Sequence, residues 1–146
     1  KGIFSLLKIF DQIKIDSELS IVGRTENANS NNKKVSFVGP VYDPTTLIKI
    51  YDNHNIFILP SFTEAHPKVI DESLARTRPV IIFDEIKHII QNRKGIFVSK
   101  RNAKSLLETI DFIMKNYQNI QKSILENKLP TKQEFISQMS NILQSN

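Results

Sequence analysis

Ile56-Phe57-Ile58-Leu59-Pro60-Ser61-Phe62-Thr63-Glu64-Ala65-His66-Pro67-Lys68-Val69-Ile70-Asp71-Glu72-Ser73-Leu74-Ala75-Arg76-Thr77-Arg78-Pro79-Val80-Ile81-Ile82-Phe83 is the stretch that decides the fold. Its two ends, Ile56 to Leu59 and Pro79 to Phe83, are unbroken apolar runs of strand length, the pattern of strands buried on both faces of a parallel sheet. Between them Val69, Ile70, Ser73 and Leu74 recur at helical spacing over Pro67 to Thr77. Proline stands at a first helical position, where its missing N–H removes no bond. Strand, helix and strand make a βαβ unit. The polar loop after Leu59 lies at the carboxyl end of the first strand, where open α/β sheets bind ligands.

The pattern continues on both sides. Upstream, Ile3, Leu6, Leu7, Phe10 and Ile13 predict an amphipathic helix. Glu18 to Arg24 holds the run Leu19-Ser20-Ile21-Val22, closed by Gly23, and predicts a buried strand. Asn27 to Lys34 is a polar loop, and Val35 to Val41 a second strand stopped by Gly39-Pro40. Leu47, Ile48, Ile50 and Tyr51 suggest a short helix after the turn Asp43-Pro44. Downstream, Ile86 to Gln91 predicts a short helix, Gly95 to Val98 a strand, and Ala103 to Tyr117 a helix. Thr131-Lys132-Gln133-Glu134 forms a capping box for a last helix with the stripe Phe135, Ile136, Met139, Ile142 and Leu143. This alternation predicts an α/β fold with a doubly wound parallel sheet over residues 1–128, followed by a helix in 129–146 that needs a partner surface.

Composition narrows the function. A chain of 146 residues fits one domain. It has no cysteine, which excludes disulfides and thiolate chemistry and fits a reducing cytoplasm. No apolar run reaches the ~20 residues that span a bilayer. The start, Lys1-Gly2-Ile3-Phe4, has neither an initiator methionine nor a secretory pattern, so the chain is expected to be a fragment. The formal net charge of +5 favours anionic partners. Nucleic acid is not expected among them, because zinc-finger spacing, aromatic RNA-binding strand motifs and a helix-turn-helix are all missing.

The loop and helix that follow Leu59 carry the chemistry. Proline at the helix start leaves the amides of Lys68 and Val69 free, so helix-end N–H groups and the helix dipole are expected to hold a phosphate. Glu64 and Glu72 flank that point, and carboxylates accept hydrogen bonds from polyol hydroxyls. The plain alternative makes Glu72 a solvated helix residue and Glu64 a loop residue that favours the helix start. His66 is either a ligand to a phosphate or sugar, or a residue stacked on Pro67. His54 and His88 are expected to be surface or satisfied residues, and no histidine spacing matches a metal motif. Ser61 lacks the flanking glycines of a nucleophile elbow. Gly39, Pro40 and Val41 either line a base pocket or simply end a strand.

Pro60-Ser61, Glu64-Ala65-His66-Pro67, Glu72-Ser73-Leu74-Ala75 and Pro79-Val80-Ile81 together resemble the signature of family 4 glycosyltransferases. There a strand ending in Pro-Ser leads to a Glu-Gly-aromatic-Pro turn and a helical Glu-Ala pair. Lys1-Gly2, Ile21-Val22-Gly23, Val35-Ser36-Phe37-Val38-Gly39 and Gly95-Ile96-Phe97-Val98 match in the family's order over roughly residues 1 to 115. Departures are Ala65 for the usual glycine, His66 at an often aromatic position, and Thr77 at a position where a small residue or glycine is common. Gly23 is followed by Arg24-Thr25 in place of a second glycine.

The resemblance implies the Rossmann-like half of a GT-B glycosyltransferase that lacks its first central strand. It also implies a nucleotide-sugar donor, transfer to an acceptor hydroxyl with retention, and no metal cofactor. Glu64 would be the catalytic residue that contacts the donor sugar, and Glu72 would grip the ribose. Lys1 would neutralise the donor diphosphate, and Ala65, His66, Pro67, Lys68 and Val69 would complete the donor-binding set. The acceptor, a saccharide or lipid-linked saccharide, would bind an absent N-terminal domain. Such an enzyme is expected to make bacterial surface polysaccharide or glycolipid in the cytoplasm, at the inner face of the membrane where that absent domain associates with it. This part alone is expected to be inactive. A non-catalytic module that binds a nucleotide or sugar phosphate is the alternative. A phosphoacceptor domain is disfavoured, since Ile56 to Ser61 ends without an aspartate.

Overall fold

The computed structural model describes residues 2–25, 27–129 and 131. Its elements run α1 (Ile3–Phe10), β1 (Leu19–Val22), β2 (Val35–Gly39), α2 (Pro44–Asp52), β3 (Phe57–Leu59), α3 (Lys68–Ala75), β4 (Val80–Phe83), a 3-10 segment (Asp84–Ile89), β5 (Ile96–Ser99), α4 (Ala103–Lys115) and α5 (Tyr117–Ile124). All three strand pairings are parallel, β1 with β2, β3 with β4, and β4 with β5. The expected class is therefore present. It is built as two pieces, however, a β1-β2 pair and a β3-β4-β5 sheet.

A cleft of about 760 Å³ separates the pieces, lined by Leu19 to Val22 of β1, Phe57 to Leu59 of β3, and Ile3, Leu6 and Phe10 of α1. Among the described residues no ladder crosses it. The interruption falls between β1 and β3. It also changes one expectation. β1 is only half-buried, with Ile21 inside and Val22 exposed, because its inner edge faces the cleft.

The core gathers around β4, whose Val80, Ile81, Ile82 and Phe83 are all fully buried. Helices cover both of its faces: Ile70 and Leu74 come from α3, Leu106 and Ile113 from α4, Ile120 and Ile124 from α5, and Leu6 and Ile9 from α1. Removing four such residues from water explains why a run with no polar alternation stays in one register. Capping fixes the surrounding helices. Asp43 accepts from the Thr46 amide and starts α2, while Asn102 accepts from the Ser105 amide and starts α4.

Strand ends shift by one or two residues from the sequence reading, and three helical elements differ more. Pro67 is the cap residue of α3 in an extended conformation, one position before the helix, so the first helical residue is Lys68. Ile86 to Gln91 is not a regular helix. A 3-10 segment covers Asp84–Ile89, with Ile86 out of helical geometry at φ −116°. The helix from Ala103 breaks at Asn116 (φ −111°), and α5 follows, unforeseen because only Ile120 and Ile124 mark its buried side. The helix expected from Thr131 onward lies outside the described residues.

Candidate functional site

β3 ends at Leu59 and the chain turns into the loop that carries Glu64. Ser61, nearly fully buried, donates its hydroxyl to Glu64 Oε1 at 2.6 Å. His88 Nε2, from the 3-10 segment, lies 2.9 Å from the Glu64 carbonyl oxygen. One carboxylate oxygen and the backbone of Glu64 are thus held, and Oε2 is left without a described partner. A carboxylate with acceptor capacity to spare beside an orderly loop suits hydroxyl recognition. Ser61 serves as a hydrogen-bond donor here, in keeping with the lack of a nucleophile pattern around it.

Ala65 and His66 are exposed and Pro67 is buried. The left-handed non-glycine residues are Asn27, Thr77 and Gln91, so Ala65 makes the turn without the backbone strain its missing glycine could have implied. His66 Nε2 stands 3.4 Å from Asp71 Oδ2, and the other oxygen of Asp71 accepts from Arg93 Nη1 at 2.7 Å. Arg93 also donates to the Ile89 carbonyl. Asp71 is therefore a link between the loop before α3 and the segment before β5. The start of α3 has no side-chain cap, which leaves the amides of Lys68 and Val69 without one, while Asp71 in the first turn sets a carboxylate near the positive end of the helix dipole.

Glu72, one turn further along α3, is exposed and faces α2. Tyr51 Oη lies 3.2 Å from Glu72 Oε2 and 3.4 Å from the Val69 carbonyl oxygen. Burial, then the nearby Glu72 charge and the bond to it, push the Tyr51 hydroxyl above its ordinary value of 10.0, so it stays a neutral donor. No described hydrogen bond or ion pair joins Glu64 to Glu72, and neither lines the large cleft. Gly39 ends β2, where its carbonyl accepts from the Gly23 amide at 2.8 Å, and no described bond ties Gly39, Pro40 or Val41 to the loop. Lys1 lies outside the described residues. Among the described residues no group of three or more His, Asp or Glu is placed to hold a metal ion.

His54 is satisfied, as expected, between the Ile50 carbonyl at 2.7 Å and Ser20 Oγ at 2.8 Å. His88 is satisfied as well, through its contact with the Glu64 carbonyl. Tyr51, His88, Glu85 and Arg101 were not visible as site residues in the sequence. Their partners lie 16 to 96 positions away, beyond any spacing rule.

No described helix is long and apolar enough to cross a membrane. A capsular polysaccharide biosynthesis glycosyltransferase, CapM, of Staphylococcus aureus is 27% identical over 95% of this chain and 40% of its own length. The N,N'-diacetylbacillosaminyl-diphospho-undecaprenol alpha-1,3-N-acetylgalactosaminyltransferase of Campylobacter jejuni is 24% identical over 94% and 39%. The chain thus spans about two fifths of the length of these curated relatives. Among solved structures, sucrose-phosphate synthase from Thermosynechococcus elongatus superposes with a TM-score of 0.78 at 20% identity, over 99% of this chain and 42% of that one. HepE of Anabaena in complex with UDP gives 0.77 at 16%, over 100% and 46%. These likenesses show the Rossmann-like fold of GT-B enzymes. A family model described as glycosyl transferases group 1 matches residues 1–116, and this chain belongs to that family.

Proposed function

We propose that the chain is the donor-binding half of a retaining glycosyltransferase, which moves a sugar from a nucleoside diphosphate to an acceptor hydroxyl in bacterial surface polysaccharide or glycolipid synthesis. The observation that carries this reading is the fixed carboxylate of Glu64 beside the uncapped start of α3. The names of the Staphylococcus and Campylobacter relatives support the substrate class, and the UDP bound to HepE supports a nucleotide donor.

In this reading Glu64 Oε2 accepts from hydroxyls of the donor sugar, and Glu72 Oε1, free beside its Tyr51 bond, accepts from the ribose. The amides of Lys68 and Val69 point the positive end of α3 at the diphosphate, with Ala65, His66, Pro67 and Lys1 around it. As the bond from sugar carbon to phosphate oxygen breaks, charge grows on the departing diphosphate. Donors already oriented toward that charge lower the barrier without reorganising. Acceptor binding, and any association with the cytoplasmic face of a membrane, belong to the remainder of such an enzyme.

Titration calorimetry with UDP-, GDP- and ADP-sugars tests the reading. Binding of at least one is expected, weakened on the order of tenfold or more by Glu72→Ala, as for loss of hydrogen bonds to a charged group. No binding of any of the three, or binding that ignores the substitution, overturns it. Binding by the intact enzyme with no sugar transferred favours a non-catalytic module.

A further inference from the structure

Arg101, in the loop between β5 and α4, spends all of its hydrogen-bonding capacity inside the protein. Its Nε donates to Glu85 Oε1 at 2.8 Å. Nη1 donates to Ser5 Oγ at 2.9 Å and to the Pro60 carbonyl at 3.0 Å. Nη2 donates to the Ser61 carbonyl at 3.1 Å and to Glu85 Oε2 at 3.1 Å. A guanidinium has five N–H donors in a rigid plane, and here each has an acceptor. The guanidinium carbon lies over two rings, 4.0 Å from the centre of Phe62 and 4.2 Å from that of Phe83. The side chain is 13% exposed.

That count excludes a role as a free anion ligand, since no donor is left for a phosphate. What the side chain does reach is the chain end of β3. It holds two successive carbonyls, Pro60 and Ser61, and stacks on the third residue, Phe62. Ser61 in turn holds Glu64. Glu85 grips the guanidinium with both oxygens and sets its plane, and the arginine beside it holds the Glu85 carboxyl below its ordinary value. Salt links on the surface contribute little, but a bidentate, stacked and mostly enclosed arginine fixes geometry.

We infer that Arg101 is a positioning residue: it fixes the Pro60-Ser61 backbone, and through Ser61 it sets where the Glu64 carboxylate stands. The inference rests on the proposed donor role of Glu64 for its functional consequence, and on contacts alone for its structural one. Lysine cannot replace it. An ammonium has three donors and no plane, so at least two of the five acceptors lose their partner and the guanidinium's contact with the two rings is gone.

Hydrogen exchange and donor binding are measured on the protein with Arg101→Lys, Ser61→Ala, both together, and Glu85→Gln. With Arg101→Lys, amides of residues 61–66 are expected to exchange at least about tenfold faster while β4 and α4 keep their protection. Affinity for a nucleotide sugar falls on the order of 10- to 100-fold, the cost of a displaced contact, and affinity for the bare nucleoside diphosphate changes far less. Adding Ser61→Ala to Arg101→Lys costs little more, because both act through one linkage. Glu85→Gln leaves the arginine in place and gives the same pattern at smaller size, which covers the case of an unfolded lysine variant. Unchanged exchange at 61–66, a uniform rise across the whole molecule, or losses that simply multiply in the double variant each overturn the inference. If the wild-type protein binds no nucleotide sugar, the proposed function fails, and the exchange result still decides the role of Arg101.

Discussion

Gly2 is pressed against the carbonyl of Pro60: a β-carbon placed on Gly2 would stand 1.7 Å from that oxygen. The glycine also has φ 84°, in the left-handed region. Chain entry into α1 and the end of β3 therefore meet backbone to backbone. Gly2→Ala should cost about 2–4 kcal/mol, from overpacking added to left-handed strain. Urea unfolding checks it, with the midpoint expected to fall and the slope to stay constant.

Thr77 bears strain that glycine would relieve. It closes α3 at φ 55°, with its amide donating to the Leu74 carbonyl at 2.8 Å and the Arg78 amide to the Ser73 carbonyl at 3.0 Å. A β-branched residue is unfavourable there by about 1–2 kcal/mol, partly offset by the entropy glycine loses on folding. Thr77→Gly should gain about 0.5–1 kcal/mol and raise the melting temperature by about 2–4 °C in calorimetry.

Tyr51 makes stability depend on alkaline pH. Its folded-state value lies above the ordinary 10.0, so above that pH the unfolded chain loses a proton that the folded chain keeps. The stabilisation is whole below about pH 10 and shrinks as pH rises further. Tyr51→Phe should lack this alkaline loss while weakening nucleotide-sugar binding severalfold, about the effect of one hydrogen bond. Denaturation midpoints across pH, together with titration of the donor, read both effects.

Glu85 gives the opposite dependence. The bond from Arg101 holds its carboxyl below the ordinary 4.5. Its contribution is therefore complete above that value and disappears as pH falls through the folded-state value. Wild type should be more stable than Glu85→Gln near neutrality, and the two should converge in acid. Equal pH dependence of the two melting curves would contradict this.

Much of the fold could be read from the chain because β4 carries four residues buried on both sides, and such a run has no competing polar pattern, although its neighbours β3 and β5 are only partly buried. Loop residues Glu64 to Pro67 were legible for a related reason, since the end of a buried strand fixes where the polar turn must be. The split of the sheet into β1-β2 and β3-β4-β5 was not legible in any single run. Pairing depends on which strands lie side by side, and a run such as Leu19 to Val22 looks alike whether its inner edge meets another strand or a cleft. The helix α5 escaped because only Ile120 and Ile124 mark its buried side. Arg101, Tyr51 and His88 escaped because tertiary structure alone brings their partners near.

The cleft between β1 and β3 has a consequence for cooperativity. With no main-chain ladder across it among the described residues, the β1-β2 piece is tied to the larger sheet by side chains and connecting segments: Arg76 and Arg78 gripping the end of α2 at Asp52, and Tyr51 of α2 reaching Glu72 of α3. Such ties are weaker than strand pairing, and each can release by itself. Leu19 to Asp52 should behave as a foldon of its own, opening at lower free energy than the unit around β4 while the latter stays closed.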